Sequence, residues 1–273
     1  MKALPLRACA VTLALLAALP GQAAEDKPLW ELGLGAGALR LPHYRGSDQS
    51  HSWLLPVPYV VYRGDIFKAD RNGARALLVD ADRFSVDVSV SASTPTRSRD
   101  NIAREGMPDL KPTVEIGPNL NWTLGRGNDW KLDLRLPVRA AVTIESQPRV
   151  AGWISTPNLN LDLRQGPWNL GLLGGPVFGS RKLHGFFYDV APAYATPSRP
   201  TYSAPGGYAG STFTAALSQR VGPRWLGAFV KYDRLSGAAF EDSPLVRQRQ
   251  QWSFGIAVSW VLAVSDQRVS VNE

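Results

Sequence analysis

The side chains best suited to nucleophilic, acid–base or metal chemistry in this sequence are three histidines, His43, His51 and His184, and one cysteine, Cys9. A zinc site needs ligands at short, characteristic separations, such as two histidines four residues apart on one helix face. None of the three histidines has such a neighbour. His43 and His51 flank a stretch of turn formers, and His184 stands alone before Phe186. A serine hydrolase needs a histidine brought beside the serine by folding, which spacing along a chain does not reveal. Gly33-Leu34-Gly35-Ala36-Gly37 has the glycines of a phosphate loop but lacks the Lys-Ser/Thr and the helix that should follow. It lies in an alternating run, where a glycine face narrows an interior or lets strands approach closely. The expectation is a protein without catalytic residues, cofactor or metal.

The chemistry that does show a pattern is ionic. Glu115, Lys131, Asp133, Arg135, Asp162 and Arg164 occupy the polar positions of three alternating stretches. If those stretches are neighbouring strands, the six charges share one face and form an inter-strand network. Such a network is a self-neutralising lining of an enclosed lumen, or else a selectivity lining for a small solute.

Strands must position these residues. Strict alternation marks a strand with two different faces. It runs through 84–91, 113–122, 130–136, 159–164 and 252–262, and more weakly through 30–41, 52–62, 66–69, 75–80, 168–178, 185–195, 212–220 and 225–234. Asp70-Arg71-Asn72-Gly73, Gln165-Gly166-Pro167 and Gly222-Pro223 punctuate them as turns. Two of the segments, near 66–80, are short, and one of them could be a loop. Bacterial barrels use an even number of strands. The pattern predicts a single antiparallel transmembrane β-barrel of about twelve strands over 25–273, with ten and fourteen open. A soluble sandwich also alternates. The barrel is preferred because Trp30, Trp53, Trp122, Trp130, Trp168, Trp225, Trp252 and Trp260 lie near strand ends, where aromatic girdles belong. Pro56, Pro58, Pro118 and Pro137 fall inside these strands and cannot donate to a ladder, so bulges or rims are expected there.

Export is read from the first residues. Lys2 and Arg7 precede an apolar run from Ala8 to Leu19, and small residues follow at Gly21, Ala23 and Ala24. This is the order of a signal peptide, 1–24, cleaved after Ala23 or Ala24. The run is too short for a spanning helix of about 20 residues. Cys9 lies within it, so the mature chain has no thiol. The formal charge of +7 falls by two when Lys2 and Arg7 leave. Nucleic acid is excluded as a partner for an exported chain without a basic cluster. Outer-membrane lipid and the phosphates of lipopolysaccharide are the expected acidic neighbours.

Two further patterns bear on identity. Ser253, Gly255, Val258 and Trp260 follow the polar-x-Gly-x-x-apolar-x-aromatic order by which the barrel assembly machinery reads a final strand, here with 13 residues beyond it. Tyr44-Arg45-Gly46-Ser47-Asp48, Leu55-Pro56-Val57-Pro58, Tyr62-Arg63-Gly64-Asp65-Ile66-Phe67, Glu115-Ile116-Gly117-Pro118, Arg199-Pro200-Thr201-Tyr202 and Asp242-Ser243-Pro244-Leu245-Val246 occur in that order. Together they resemble the MltA-interacting protein (MipA/OmpV) family. The resemblance implies the cell outer membrane and a non-catalytic scaffold for a lytic murein transglycosylase and a penicillin-binding protein. A small-solute or antibiotic pore is the alternative it leaves, and a lipid-modifying enzyme a remoter one. It supplies no catalytic residues. Tyr44, Gly46, Ser47, Asp48, Asp242, Ser243 and Pro244 are family-motif positions for which a structural role is expected: a turn at Gly46-Ser47-Asp48 and a stiff lead-in to the last strand at Ser243-Pro244.

Overall fold

A computed structural model describes residues 25–70 and 73–271. The expected signal segment, 1–24, lies outside the described residues. The strands are β1 (Glu25–Pro28), β2 (Trp30–Pro42), β3 (Ser50–Arg63), β4 (Phe67–Asp70), β5 (Gly73–Ala81), β6 (Phe84–Ala92), β7 (Thr113–Arg126), β8 (Trp130–Thr143), β9 (Val150–Ser155), β10 (Asn158–Gln165), β11 (Trp168–Gly179), β12 (Gly207–Val221), β13 (Arg224–Arg234), β14 (Gln250–Val264) and β15 (Arg268–Val271). From β2 to β14 they form a closed antiparallel barrel of 12 strands. β9 and β10 are two halves of one strand, and both pair with β8, at Val138↔Ser155 and Arg135↔Asn158. β14 meets β2 and closes the ring. β1 and β15 form a separate two-stranded ribbon below that closing pair.

The barrel is apolar outside and polar inside. Leu34, Leu54, Ile256 and Leu262 are 54%, 80%, 65% and 72% exposed, whereas Asp87, Asn119, Asp133, Asn160, Asp233 and Ser259 are buried. In a sandwich the two faces would be exchanged. A continuous apolar outer belt of this kind suits hydrocarbon rather than water. Aromatic residues bound it at both ends. Phe213, Tyr232 and Trp252 are successive register partners near one rim, and Phe84 pairs Trp122 near the other. On β14, Trp252 and Trp260 both face out; eight residues at about 3.3 Å each span about 27 Å along the strand. With a tilt near 40° this is close to the roughly 25 Å apolar band of such barrels. Trp53 and Trp225 depart from the girdle expectation. Both share strand parity with lumen residues, and Trp225 lies 6.1 Å from the Tyr59 ring.

Long loops (43–49, 93–112, 144–149, 180–206 and 235–249) gather at one end, and the turns 64–66, 82–83, 127–129, 166–167 and 222–223 lie at the other. Both short segments near 66–80 are strands. The segment expected as a strand at 185–195 is not one. Arg181–Tyr188 is a helix, α1, and Pro192–Tyr194 a single 3-10 turn. Ser180 caps α1, its Oγ accepting from Leu183 N at 3.2 Å. Leu183, Phe186 and Phe187 then fall on one helical stripe, which the local alternation concealed.

The strand prolines sit where donors are not needed. Pro118 has no ladder partner on β8, because the register skips from Ile116↔Ala140 to Asn119↔Pro137. Pro137 lies beside the break between β9 and β10. Gly33 and Gly35 face inward, and a Cβ on either would collide with the Trp260 or Val258 carbonyl oxygen. This is the close strand approach that a glycine face permits.

Candidate functional site

The barrel encloses a charged lumen. Lys131, Asp133 and Arg135 project inward from β8 and face Asn158, Asn160 and Asp162 on β10. Lys131 Nζ lies 3.1 Å from Asp133 Oδ2, and Arg135 Nη2 lies 3.8 Å from both Asp133 and Asp162. Thr123 Oγ1 donates to Asp133 Oδ1 at 2.8 Å, and Asn160 Nδ2 to Asp162 Oδ2 at 2.8 Å. Arg164 stands near the short-turn end, its backbone N–H on Asp129 O. Glu115 is not part of this group. It sits higher on β7, within electrostatic reach of Arg139 and Lys231. A second cluster, on the other side of the short-turn end, joins Glu31 to Arg63 at 2.6 Å and to Arg220. Buried acceptors without a protein partner remain in the wall, at Asp87 Oδ1, Asn119 Oδ1 and Asn158 Oδ1. Buried polar atoms of this kind call for water or a ligand.

The long-loop end is roofed. Tyr44, Leu110, Val177, Tyr188, Val190, Leu235, Phe240 and Leu245 form one dry cluster drawn from several loops. Tyr188 and Phe240 stack at 3.7 Å with planes 11° apart. Side-chain hydrogen bonds staple the loops together. Tyr44 donates to Leu245 O at 2.7 Å, Tyr188 to Arg45 O at 2.8 Å, and Ser243 to Tyr188 O at 2.9 Å. Gly46 N donates to Gln251 Oε1 at 2.8 Å, and Gln248 Nε2 to Ser47 O at 2.7 Å. Arg199 Nη1 reaches Ala103 O and Glu105 O at 3.0 and 2.9 Å, and Arg104 Nη1 reaches Phe187 O at 2.9 Å. Burial pushes the Tyr44 hydroxyl up to about 12, and burial likewise holds Tyr188 well above the ordinary phenol range. Gly46 has φ +94°, a left-handed conformation that glycine adopts at no steric cost. Ser243-Pro244 lies within the roof, six residues before β14, and acts as a loop staple rather than as a lead-in to that strand.

Each histidine has a place in the loops. His43 Nδ1 lies 3.1 Å from Asn101 Nδ2, which also donates to Ser47 Oγ at 3.0 Å. Here the asparagine stands between histidine and serine. A hydrolytic relay needs the histidine between them, with an exposed serine, and Ser47 is 0% exposed. His51 packs on Trp53 at 4.4 Å. His184, on α1, is buried against Phe240 and hydrogen-bonds Pro205 O through Nδ1 at 2.7 Å. Its Nε2 has no partner. Burial pushes its pKa below the usual imidazole range, against the bond to Pro205. Among the described residues, no three histidine, cysteine or carboxylate side chains converge as a metal site.

The model of the family described as MltA-interacting protein MipA matches residues 34–262, from β2 to β14, with all five long loops between them. The chain belongs to that family. No curated protein matches the sequence. Among solved structures it is similar to the outer membrane phospholipase A of Escherichia coli, at 12% identity over 86% of this chain and 94% of that one, with a TM-score of 0.35. It is also similar to the Pseudomonas putida toluene transporter TodX, at 11% over 85% and 88%, TM-score 0.36. A third similarity is to the outer membrane protein OprD of Pseudomonas aeruginosa, at 9% over 88% and 96%, TM-score 0.29. The family match encloses every roof staple named above. Tyr188, Phe240 and Asn101, which hold the roof, carry no signal in the sequence, because their partners come from loops far away along the chain.

Proposed function

We propose that this barrel sits in the cell outer membrane as a non-catalytic platform for murein-cutting and murein-building enzymes on its periplasmic side. Long loops of such barrels face outward and short turns face the periplasm. The observation that carries the proposal is the β1–β15 ribbon. It continues the β2–β14 pair past the short-turn end, and each of its strands has one partner among the described residues. Open strand edges are ready-made templates for a partner's strand. The family name adds a lytic murein transglycosylase as the partner class, and the resemblance drawn from the sequence motifs adds a penicillin-binding protein as the second. Absence of catalysis is part of the same reading, supported by the order of contacts around His43.

The test is capture of purified transglycosylase and penicillin-binding protein by the detergent-solubilised barrel. Removing 25–28 and 268–273 should abolish capture while leaving heat-modifiable gel mobility intact. Capture no better than that of an unrelated barrel would overturn the scaffold. A small-solute pore is the second reading, favoured by the unpartnered lumen acceptors. Planar-bilayer recording separates the two. The roofed scaffold predicts near-zero current both in the native protein and with Arg135→Ala and Arg164→Ala, whereas a pore predicts altered ion selectivity in the double variant.

A further inference from the structure

The barrel wall has a window. β4 meets β3 only at Tyr62↔Ala69 and Arg63↔Lys68. On the other side β5 meets β6 no higher than Arg75↔Ser89. The β4–β5 hairpin therefore stops far short of the upper end of β3 and three residues short of the end of β6. Among the described residues, the long upper part of β3 and Val90–Ala92 of β6 have no strand between them. Three strand spacings of about 4.8 Å put β3 and β6 about 14 Å apart where the hairpin ends. Higher up, the 93–112 loop leans across and joins the 43–49 loop. Thr96 Oγ1 donates to His43 O, and Ile102 N to Gln49 Oε1. The opening is thus bounded above and below. It lies between the levels of Arg40, which is outward-facing on β2, and Tyr62, and so faces hydrocarbon.

The β3 edge of this window resists closure. Arg63 N–H points to Leu29 O, toward β2. Alternation then turns the N–H side of residues 54, 56, 58 and 60 toward the window. Two of these are Pro56 and Pro58, which have no N–H. An incoming strand would meet carbonyls with no donors between them, so the edge is blocked against pairing.

The two sides of the window differ in chemistry. Trp53, Leu55, Val57 and Tyr59 share the inward parity of β3, and Leu55 keeps 43% exposure despite facing in. On β6, Ser91 borders the window, while Ser85, Asp87 and Ser89, of the same inward parity, lie below it beside β5. In the lumen below the opening, Asp87 is 1% and its cross-strand partner Asn119 7% exposed. Asp87 Oδ2 accepts from Asn119 and Asn121 at 3.1 and 2.7 Å, while Asp87 Oδ1 and Asn119 Oδ1 are left without donors. The charge of Asp87 is already felt by Arg135 and Arg139. What is missing there is hydrogen-bond donors rather than net positive charge.

We propose that the window is a lateral portal between membrane hydrocarbon and lumen. It admits an amphiphile whose tail lies along Val57 and Tyr59 and whose hydrogen-bond-donating head meets Asp87 and Asn119. The dry roof covers the long-loop end, and the wall offers a route that opens directly to hydrocarbon.

The test uses the full chain with Cys9→Ser, reconstituted in dioleoylphosphatidylcholine vesicles. A single cysteine replaces either Val57, beside the window, or Thr214, inward on β12 and away from it. N-dodecylmaleimide, which partitions into the bilayer, should label Val57→Cys about tenfold faster or more, because elsewhere a paired backbone walls off the lumen. Dodecan-1-ol should slow that labelling, and methyl dodecanoate, which has no donor, should not. Adding Asp87→Ala or Asn119→Ala should remove the protection and leave labelling fast; either variant suffices if the other fails to fold. Equal labelling at the two positions overturns the portal. Equal protection by alcohol and ester, or protection that survives both alanine variants, overturns the head-group site.

Discussion

In the roof, Tyr44, Tyr188 and Ser243 each donate a buried hydroxyl to a backbone carbonyl of another loop. In the lumen, Asp87, Asn119 and Asn158 keep a buried acceptor with no protein donor. The two regions are a few strand residues apart and bury comparable polar groups. The roof meets these hydroxyls internally, although His184 Nε2, Asn101 Oδ1, Arg104 Nε and Gln251 Nε2 lack a protein partner there, and an unpaired buried group costs about 1–3 kcal/mol. The lumen leaves that task to water or a ligand. Loop-to-loop hydrogen bonds and the Tyr188–Phe240 stack make the roof the rigid region, and the unmet acceptors that line the lumen make it the region with capacity for a guest.

The sharpest way to break this contrast is Phe240→Ala. It removes the ring stacked on Tyr188, and large-to-small changes in a dry core cost about 3–5 kcal/mol. The 180–206 loop should become protease-sensitive, while heat-modifiable gel mobility still reports a closed barrel. Loss of both together would mean that the roof and the wall fold as one unit. Ser243→Ala should cost about 1–3 kcal/mol, because Tyr188 O loses its donor inside the roof. Hydrogen exchange over 235–249 reads that loss, and no change would show that water reaches the site.

Acidification tests the same dryness. The pKa of His184 is lowered mainly by burial, so an opened roof binds the proton more readily than the closed one. Stability is then present above the ordinary imidazole value of about 6.5 and is lost as pH falls below it. Proteolysis of 180–206 should accelerate between about pH 7 and pH 5, and His184→Phe should flatten that profile. The smallest effect is expected in the lumen. Lys131 is half-exposed beside Asp133, and Lys131→Ala should change denaturant stability by about 1 kcal/mol or less, as for solvated ion pairs. A cost comparable to that of Phe240→Ala would mean that the lumen is as dry as the roof.

Much of the wall was legible before the structure. Alternation through 113–122 and 252–262 places β7 and β14 within a few residues at either end, and 130–136 marks the first half of β8, which runs on to Thr143, because each side chain's surroundings depend on its own strand parity. At 185–195 the same rule failed. There Ser180 starts a helix, and the apolar positions serve both patterns over so few residues. β9 was missed because Val150–Ser155 is short and carries Gly152 in a left-handed conformation. Of the six candidate charges, the register joins those on β8 and β10, and it sets Glu115 apart, a separation that depends on how far β7 slides along β8.

The amino-acid sequence by itself determined which faces are greasy and which are wet, and with that the membrane barrel, since period-two patterning is a local property. Three-dimensional structure alone decided that the loops fuse into a roof, that one hairpin stops short, and that Pro56 and Pro58 stand on an open edge. Those features depend on contacts between residues far apart in the chain, and no short window of sequence contains both partners of such a contact.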